Sequence, residues 1–242
     1  VVVTSKGWSQ RESFLSRIEQ HLADTPPRAA YYPGAQARYD GFLSNYPDAK
    51  PLGPRSSGVV PWTLIPNVSP EKGEYALTSE AFCGVLAETR LDNSNPRDFL
   101  LEMVDFANES CWGTLSCVIL IHPTTARQYA AELDEAIAGL RYGGIAINSF
   151  GGLIYALASP TWGAFPGHPD EDIQSGRGVV HNTYMIDHPQ KTVLHAPFRM
   201  KPTPAWFADH MTAHELGPAL ARFEAKPGLL RLPAVIMAAM RG

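Results

Sequence analysis

A chain of 242 residues is long enough for one large α/β domain or two small ones. At 45% hydrophobic and 18% charged it is a globular sequence, which excludes an intrinsically disordered segment. Its net charge of -4, without any Lys/Arg run, argues against a nucleic-acid surface.

No apolar stretch reaches the roughly 18–20 residues that cross a bilayer. The best candidate, Leu232–Met240, is too short and holds a proline. Three cysteines at irregular spacing make no disulfide framework. A reducing, cytoplasmic setting is therefore expected, with neither membrane nor nucleic acid as partner.

The chain opens on Val1-Val2-Val3-Thr4, with no Met and no signal peptide. This β-branched run reads as a buried strand at the start of a piece of a longer polypeptide. Ser9-Gln10-Arg11-Glu12 fits a capping box, and Phe14, Leu15, Ile18 and Leu22 give the helix that follows an apolar face. Pro26-Pro27 ends it. The stretch from Tyr31 to Pro61 is rich in Pro, Gly and Tyr and reads as a surface excursion with one short helix near Ala35–Leu43. Trp62-Thr63-Leu64-Ile65 is a strand, and Pro66–Tyr75 is a polar turn region.

From Leu77 to Phe150 the pattern alternates strand, helix, strand, helix, strand with short connections. That is the signature of βαβ units, so the fold class is α/β with a doubly wound, mostly parallel sheet. Asn95 caps and Pro96 opens a helix to Asn108, with Leu100, Met103, Val104 and Ala107 on one face. Leu115–Ile121 reads as a strand covered on both faces. A second helix, Thr125–Arg141, carries Tyr129, Leu133, Ile137 and Leu140 and stops at Gly143-Gly144. Ile145–Asn148 is the next strand. Gly151–Gly178 is a long Gly/Pro-rich loop, Lys191–His195 another strand, and Ala205–Phe223 and Leu229–Met240 are helical.

Glu80 stands at the mouth of a strand, two residues before Phe82. It reads either as a cleft carboxylate whose pKa can rise into the range of a general base, or as a solvated turn carboxylate. Phe82 by itself fits an ordinary core aromatic. Cys83 lies close enough to Glu80 to matter, although Cys83, Cys111 and Cys117 all fit structural packing. His210 and His214 share an i, i+4 spacing beside Asp209 and Glu215, but a third metal ligand is missing, so a solvated helix face is the default and no metal is expected. No Gly-x-Ser-x-Gly and no Gly-x-Gly-x-x-Gly occur.

The order of segments resembles the C-terminal, catalytic half of the aldehyde dehydrogenase superfamily over roughly residues 1 to 197. Glu80-Ala81-Phe82-Cys83-Gly84 stands for that family's Glu-x-Phe-Gly-Pro segment. Phe106-Ala107-Asn108, Trp112-Gly113-Thr114-Leu115-Ser116 and Gly143-Gly144-Ile145-Ala146-Ile147-Asn148 follow in the family's order. Cys83-Gly84 departs from Gly-Pro, and the later Pro-Phe-Gly-Gly and Ser-Gly-x-Gly-Arg-Glu segments are echoed only by Pro160-Thr161-Trp162-Gly163 and Ser175-Gly176-Arg177-Gly178.

The resemblance implies an NAD(P)-dependent enzyme that oxidises an aldehyde through a Cys thioester. Glu80 would contact the cofactor ribose and would be the catalytic carboxylate, and Phe82 would pack at the nicotinamide end. The nucleophilic Cys would lie upstream of residue 1, and NAD or NADP would be bound mainly by an N-terminal dinucleotide-binding domain of the same polypeptide. This chain alone is then expected to be inactive. The expected organisation is a catalytic-like domain over 1–182, an oligomerisation strand within 183–200 that makes the protein a homo-oligomer, and a helical extension over 201–242. A non-catalytic assembly or binding module with the same fold is the alternative.

Overall fold

The computed structural model describes residues 1–242 apart from Arg28, Ser57, Trp206, Ala208 and Asp209. The described residues fall into two units, Val1–Ala196 and Pro197–Gly242. In the first unit β1 (Val2–Ser5) and α1 (Arg11–Asp24) precede α2 (Ala35–Asn45), β2 (Lys50–Leu52) and β3 (Trp62–Val68). Next come α3 (Tyr75–Thr78), β4 (Val85–Leu91), α4 (Pro96–Glu109) and β5 (Ser116–Ile119). α5 (Pro123–Gln128), α6 (Ala130–Gly139), β6 (Gly144–Ile147), α7 (Leu153–Ala156), β7 (Trp162–Gly163), β8 (Val179–Val180) and β9 (Thr192–His195) complete it. The second unit holds α8 (Ala213–Ala225) and α9 (Leu232–Met240).

The class is mixed α/β with mostly parallel sheets, as the strand–helix alternation predicts. A four-stranded sheet runs β1-β4-β3-β2 and a three-stranded sheet β5-β6-β9. β4 lies parallel to both its neighbours, with Val2 opposite Glu88 and Leu64 opposite Leu86. Only β2 runs antiparallel in that sheet. In the other sheet all pairs are parallel, with Ile147 opposite both Ile119 and His195. One apolar cluster is built from β3, β4, α4, β5, α6 and β6, and includes Ile65, Leu100, Val104, Ile119, Leu133, Leu140 and Ile145.

α4 forms as its signals dictate. The Asn95 side chain accepts from Arg97 N–H at 3.0 Å, Pro96 takes the first turn, and Leu100, Met103, Val104 and Ala107 are buried. Other elements differ from expectation for identifiable reasons. α1 begins at Arg11 without a side-chain cap, because Glu12 pairs with Arg11 instead of reaching back to Ser9. β1 buries only Thr4, since it is an end strand of its sheet. The second long helix breaks at Tyr129 (φ -118°, ψ 41°) into α5 and α6. β5 is covered on one face only: Val118 is 45% exposed and Ser116 is open too.

Gly143-Gly144 does not end α6. That helix closes at Gly139, with Leu140 already extended. Gly143 instead permits a close crossing, because a Cβ there would lie 1.9 Å from Gly163 O. The long loop after β6 is not featureless: it carries α7 and the small antiparallel pair β7–β8. The helix predicted over Ala205–Phe223 starts at Ala213, and its Trp206, Ala208 and Asp209 lie outside the described residues.

Candidate functional site

The turn between α3 and β4 carries the residues singled out by sequence. α3 ends at Thr78, and the chain reaches β4 at Val85. Val85 N–H donates to Cys83 O at 2.8 Å, which closes a tight turn, and Gly84 O accepts from Thr63 N–H at 2.8 Å. A Cβ on Gly84 would lie 2.4 Å from the Trp62 ring, so the indole needs glycine there. Phe82 takes φ 50°, a left-handed conformation that is costly for an aromatic residue.

The Phe82 ring is exposed at the surface. The Arg38 guanidinium lies over it, 4.8 Å from the centroid, and the Tyr32 ring packs 5.0 Å away. Tyr31 extends the row, edge-on to Tyr32 at 5.1 Å. Arg38 Nη1 also donates to Glu80 O at 3.1 Å, tying α2 to the turn. The Glu80 side chain is exposed, and its carboxylate has no hydrogen bond or ion pair among the described residues. The result is an aromatic and cationic platform beside an unengaged carboxylate.

Burial pushes the Cys83 thiol up, with Arg38 opposing weakly. Burial also raises Cys111 and takes Cys117 to about 11. All three are free cysteines, and burial disfavours the thiolate at each of them.

The residue that sequence reasoning missed is Glu88, in the middle of β4 and 0% exposed. Arg11 Nε and Nη2 donate to its two oxygens at 2.8 and 2.6 Å. The Thr4 hydroxyl donates at 2.5 Å and the Asn67 N–H at 3.1 Å. Burial pushes the carboxyl up, but the bonds from Arg11, Thr4 and Asn67 outweigh it and hold Glu88 below the usual carboxylate range. The pair joins α1 to the centre of the sheet and has every acceptor occupied, which makes it a structural clamp. A signal was present: Arg11 continues the i, i+4, i+7 stripe of Leu15 and Ile18, so a cation sits on an apolar helix face.

The asparagines of the recognised segments are also clamps. Asn108 accepts from Arg141 N–H at 2.8 Å and donates to Gly139 O at 2.9 Å, fastening the end of α4 to the end of α6. Asn148, at φ 57°, accepts from Ile121 N–H at 2.8 Å and donates to Ile121 O at 3.0 Å. Thr114 bonds both Ser175 Oγ (2.8 Å) and His168 Nε2 (2.6 Å), which docks the long loop on the turn before β5. His210 precedes α8 rather than sharing a helix with His214, and Asp209 lies outside the described residues. Among the described residues no three His, Cys, Asp or Glu side chains gather as a metal site.

No family model matches the chain, and no curated protein matches it. Solved structures do. A salicylaldehyde dehydrogenase from Pseudomonas putida G7 superposes with a TM-score of 0.55 at 15% identity, covering 74% of this chain and 35% of that one. The fold is shared with aldehyde dehydrogenases. An aldehyde dehydrogenase from Bacillus cereus gives 0.53 at 14% identity, covering 78% of this chain and 37% of its own. An NAD-dependent aldehyde dehydrogenase from Sinorhizobium meliloti gives 0.50 at 16%, covering 67% and 32%. The chain thus spans about a third of the length of the structures it resembles.

Proposed function

We propose that this chain is the catalytic-domain portion of an NAD(P)-dependent aldehyde dehydrogenase. The observation that carries the reading is the exposed turn at the mouth of β4, on a fold shared with aldehyde dehydrogenases. There Glu80 keeps its carboxylate unengaged, and Phe82 is turned outward at a costly backbone angle. An unengaged carboxylate suits the hydroxyls of a ribose, and an aromatic flanked by Tyr32 and Arg38 suits a planar ring with anionic groups. The residues present therefore fit a nicotinamide dinucleotide, with Glu80 toward the ribose and Phe82 toward the nicotinamide end. When bound, that group supplies hydride acceptance.

Glu80 has a second role, as the catalytic carboxylate that takes a proton from water. Burial does not assist it, because it is solvent-exposed in this chain. Closure against the N-terminal dinucleotide-binding domain of the same polypeptide would desolvate it. The nucleophilic Cys lies upstream of residue 1 in this reading, consistent with three raised thiols within the chain. β9 is paired on one side only among the described residues, and its open edge is the proposed homo-oligomer contact. Those same raised thiols are what favours the alternative, a non-catalytic assembly or binding module of the same fold.

The test uses the parent polypeptide extended upstream of Val1. Reduced nicotinamide is followed by absorbance with NAD+ and NADP+ separately, against short, long and aromatic aldehydes. Turnover that falls at least about a hundredfold in Glu80→Gln supports both the enzyme and the residue, the low end for removing a general base. Turnover unaffected by Glu80→Gln keeps the enzyme and discards Glu80. A folded parent without turnover on any pair overturns the dehydrogenase reading in favour of the module.

A further inference from the structure

The second unit differs from the chain as a whole in charge and in surface. Pro197–Gly242 holds six Lys/Arg against three Asp/Glu, whereas the whole chain is acidic at -4. Its α9 contains no charged residue and is apolar all round, a composition normal for a helix enclosed on every side. Here only one side is enclosed. Ala238 is buried, and Leu232 and Val235 are half-buried. Pro233, Ile236, Met237 and Met240, at i, i+3, i+4 and i+7, form a continuous stripe that faces solvent. The turn that leads from α8 to α9 adds Leu229 and Leu230, which are 85% and 98% exposed.

Cations border this apolar surface. Arg231 Nη1 donates to Arg222 O at 3.0 Å and Lys226 O at 2.8 Å, closing the end of α8. The Arg222 and Lys226 side chains are exposed and have no ion-pair partner among the described residues. An open groove of about 480 Å³ runs between the two helices, lined by Ala219, Leu230 and Ala234 together with Arg222, Lys226 and Arg231.

We propose that the α8–α9 hairpin is a peripheral docking element that lies on an anionic lipid surface. The stripe of α9 and the Leu229-Leu230 tip enter the headgroup boundary, while Arg222 and Lys226 meet lipid phosphates. The exposed stripe and tip offer only apolar side chains, none of which donates a hydrogen bond, which suits acyl chains. A second copy seated symmetrically on this face would bring the same cations together, a like-charge contact that opposes pairing. No described helix is long and apolar enough to cross a membrane, so the mode is contact in the interface and not a span. This departs from the sequence expectation of no membrane partner, and it does not depend on the dehydrogenase reading.

The experiment is co-sedimentation of the 242-residue chain with vesicles of equimolar phosphatidylcholine and phosphatidylserine, against vesicles of phosphatidylcholine alone. Binding is expected to the anionic vesicles, weakening as salt is raised. Leu229→Ser with Leu230→Ser is expected to lower partitioning at least roughly tenfold, the effect of withdrawing two leucines from an apolar phase. Lys226→Glu should lower it about fivefold or more, the effect of one basic residue near an anionic surface. These side chains are exposed, so circular dichroism should match the unsubstituted chain. Equal binding to both vesicle types, or binding to neither, overturns the proposal. So does a concentration-dependent dimer in sedimentation velocity that the Leu229/Leu230 change abolishes.

Discussion

Replacing Arg11 by Ala tests the clamp at the centre of the four-stranded sheet. The change removes all three hydrogen bonds that Arg11 makes to Glu88 and Asn67, and leaves a fully buried carboxylate with only the Thr4 hydroxyl and Asn67 N–H. Breaking a buried pair by removing one partner costs about 3–5 kcal/mol, because the remaining charge keeps its desolvation cost. The double change Arg11→Met with Glu88→Leu removes both charges and should recover most of that loss. Glu88 also fixes an acid limit. Its folded-state pKa is depressed from 4.5, so its contribution is complete above that value and is lost as pH falls through the lower folded value. Urea unfolding monitored by circular dichroism at neutral and acidic pH measures both effects. A loss under about 1 kcal/mol in Arg11→Ala, the size of a surface pair, would refute the clamp. An acid slope unchanged in the double variant would refute the role given to Glu88.

Further outcomes are expected elsewhere in the chain. Asn95→Ala removes the cap of α4 and should cost about 1 kcal/mol in urea unfolding, with Asn95→Asp close to neutral. Gly143→Ala places a Cβ at 1.9 Å from Gly163 O, a backbone atom, so the crossing must open; a lowered thermal midpoint or loss of soluble protein is expected, while Gly34→Ala, with nothing within 4 Å but φ 78°, should cost only about 1 kcal/mol. Cys117, pushed up to about 11 by burial, should resist a thiol reagent at neutral pH in the native chain and react after denaturation.

Much of the fold was legible because local signals and burial agree. Asn95-Pro96 and the Leu100, Met103, Val104, Ala107 spacing fix α4 almost to the residue. Where the sequence misled, a tertiary contact overrode a local pattern. Ser9 and Glu12 spell a capping box, yet Arg11 beside them is drawn to Glu88, 77 residues away, and Glu12 follows Arg11. Leu115–Ile121 is apolar enough for a strand covered twice, but the face that carries Val118 stays partly open, with Val118 45% exposed. Gly143-Gly144 looks like a helix stop, while its use is a backbone crossing with residues 163–164 that no local pattern announces.

The site was less legible than the fold for a related reason. The segments that carry the family resemblance divide into residues that hold the backbone and residues that hold nothing. Asn108 and Asn148 each spend both ends of the amide on main-chain groups, and Gly84 is required by the Trp62 ring. Folding alone accounts for these residue types at these positions, so they bear on architecture and not on chemistry. Glu80 has no such duty, since only its main-chain carbonyl is engaged. Phe82 bears a backbone cost that packing against Tyr32 and Arg38 does not by itself require. A side chain without a structural partner and a strained neighbour in one turn are therefore the part of the resemblance that folding leaves unexplained. The functional proposal rests on those two residues.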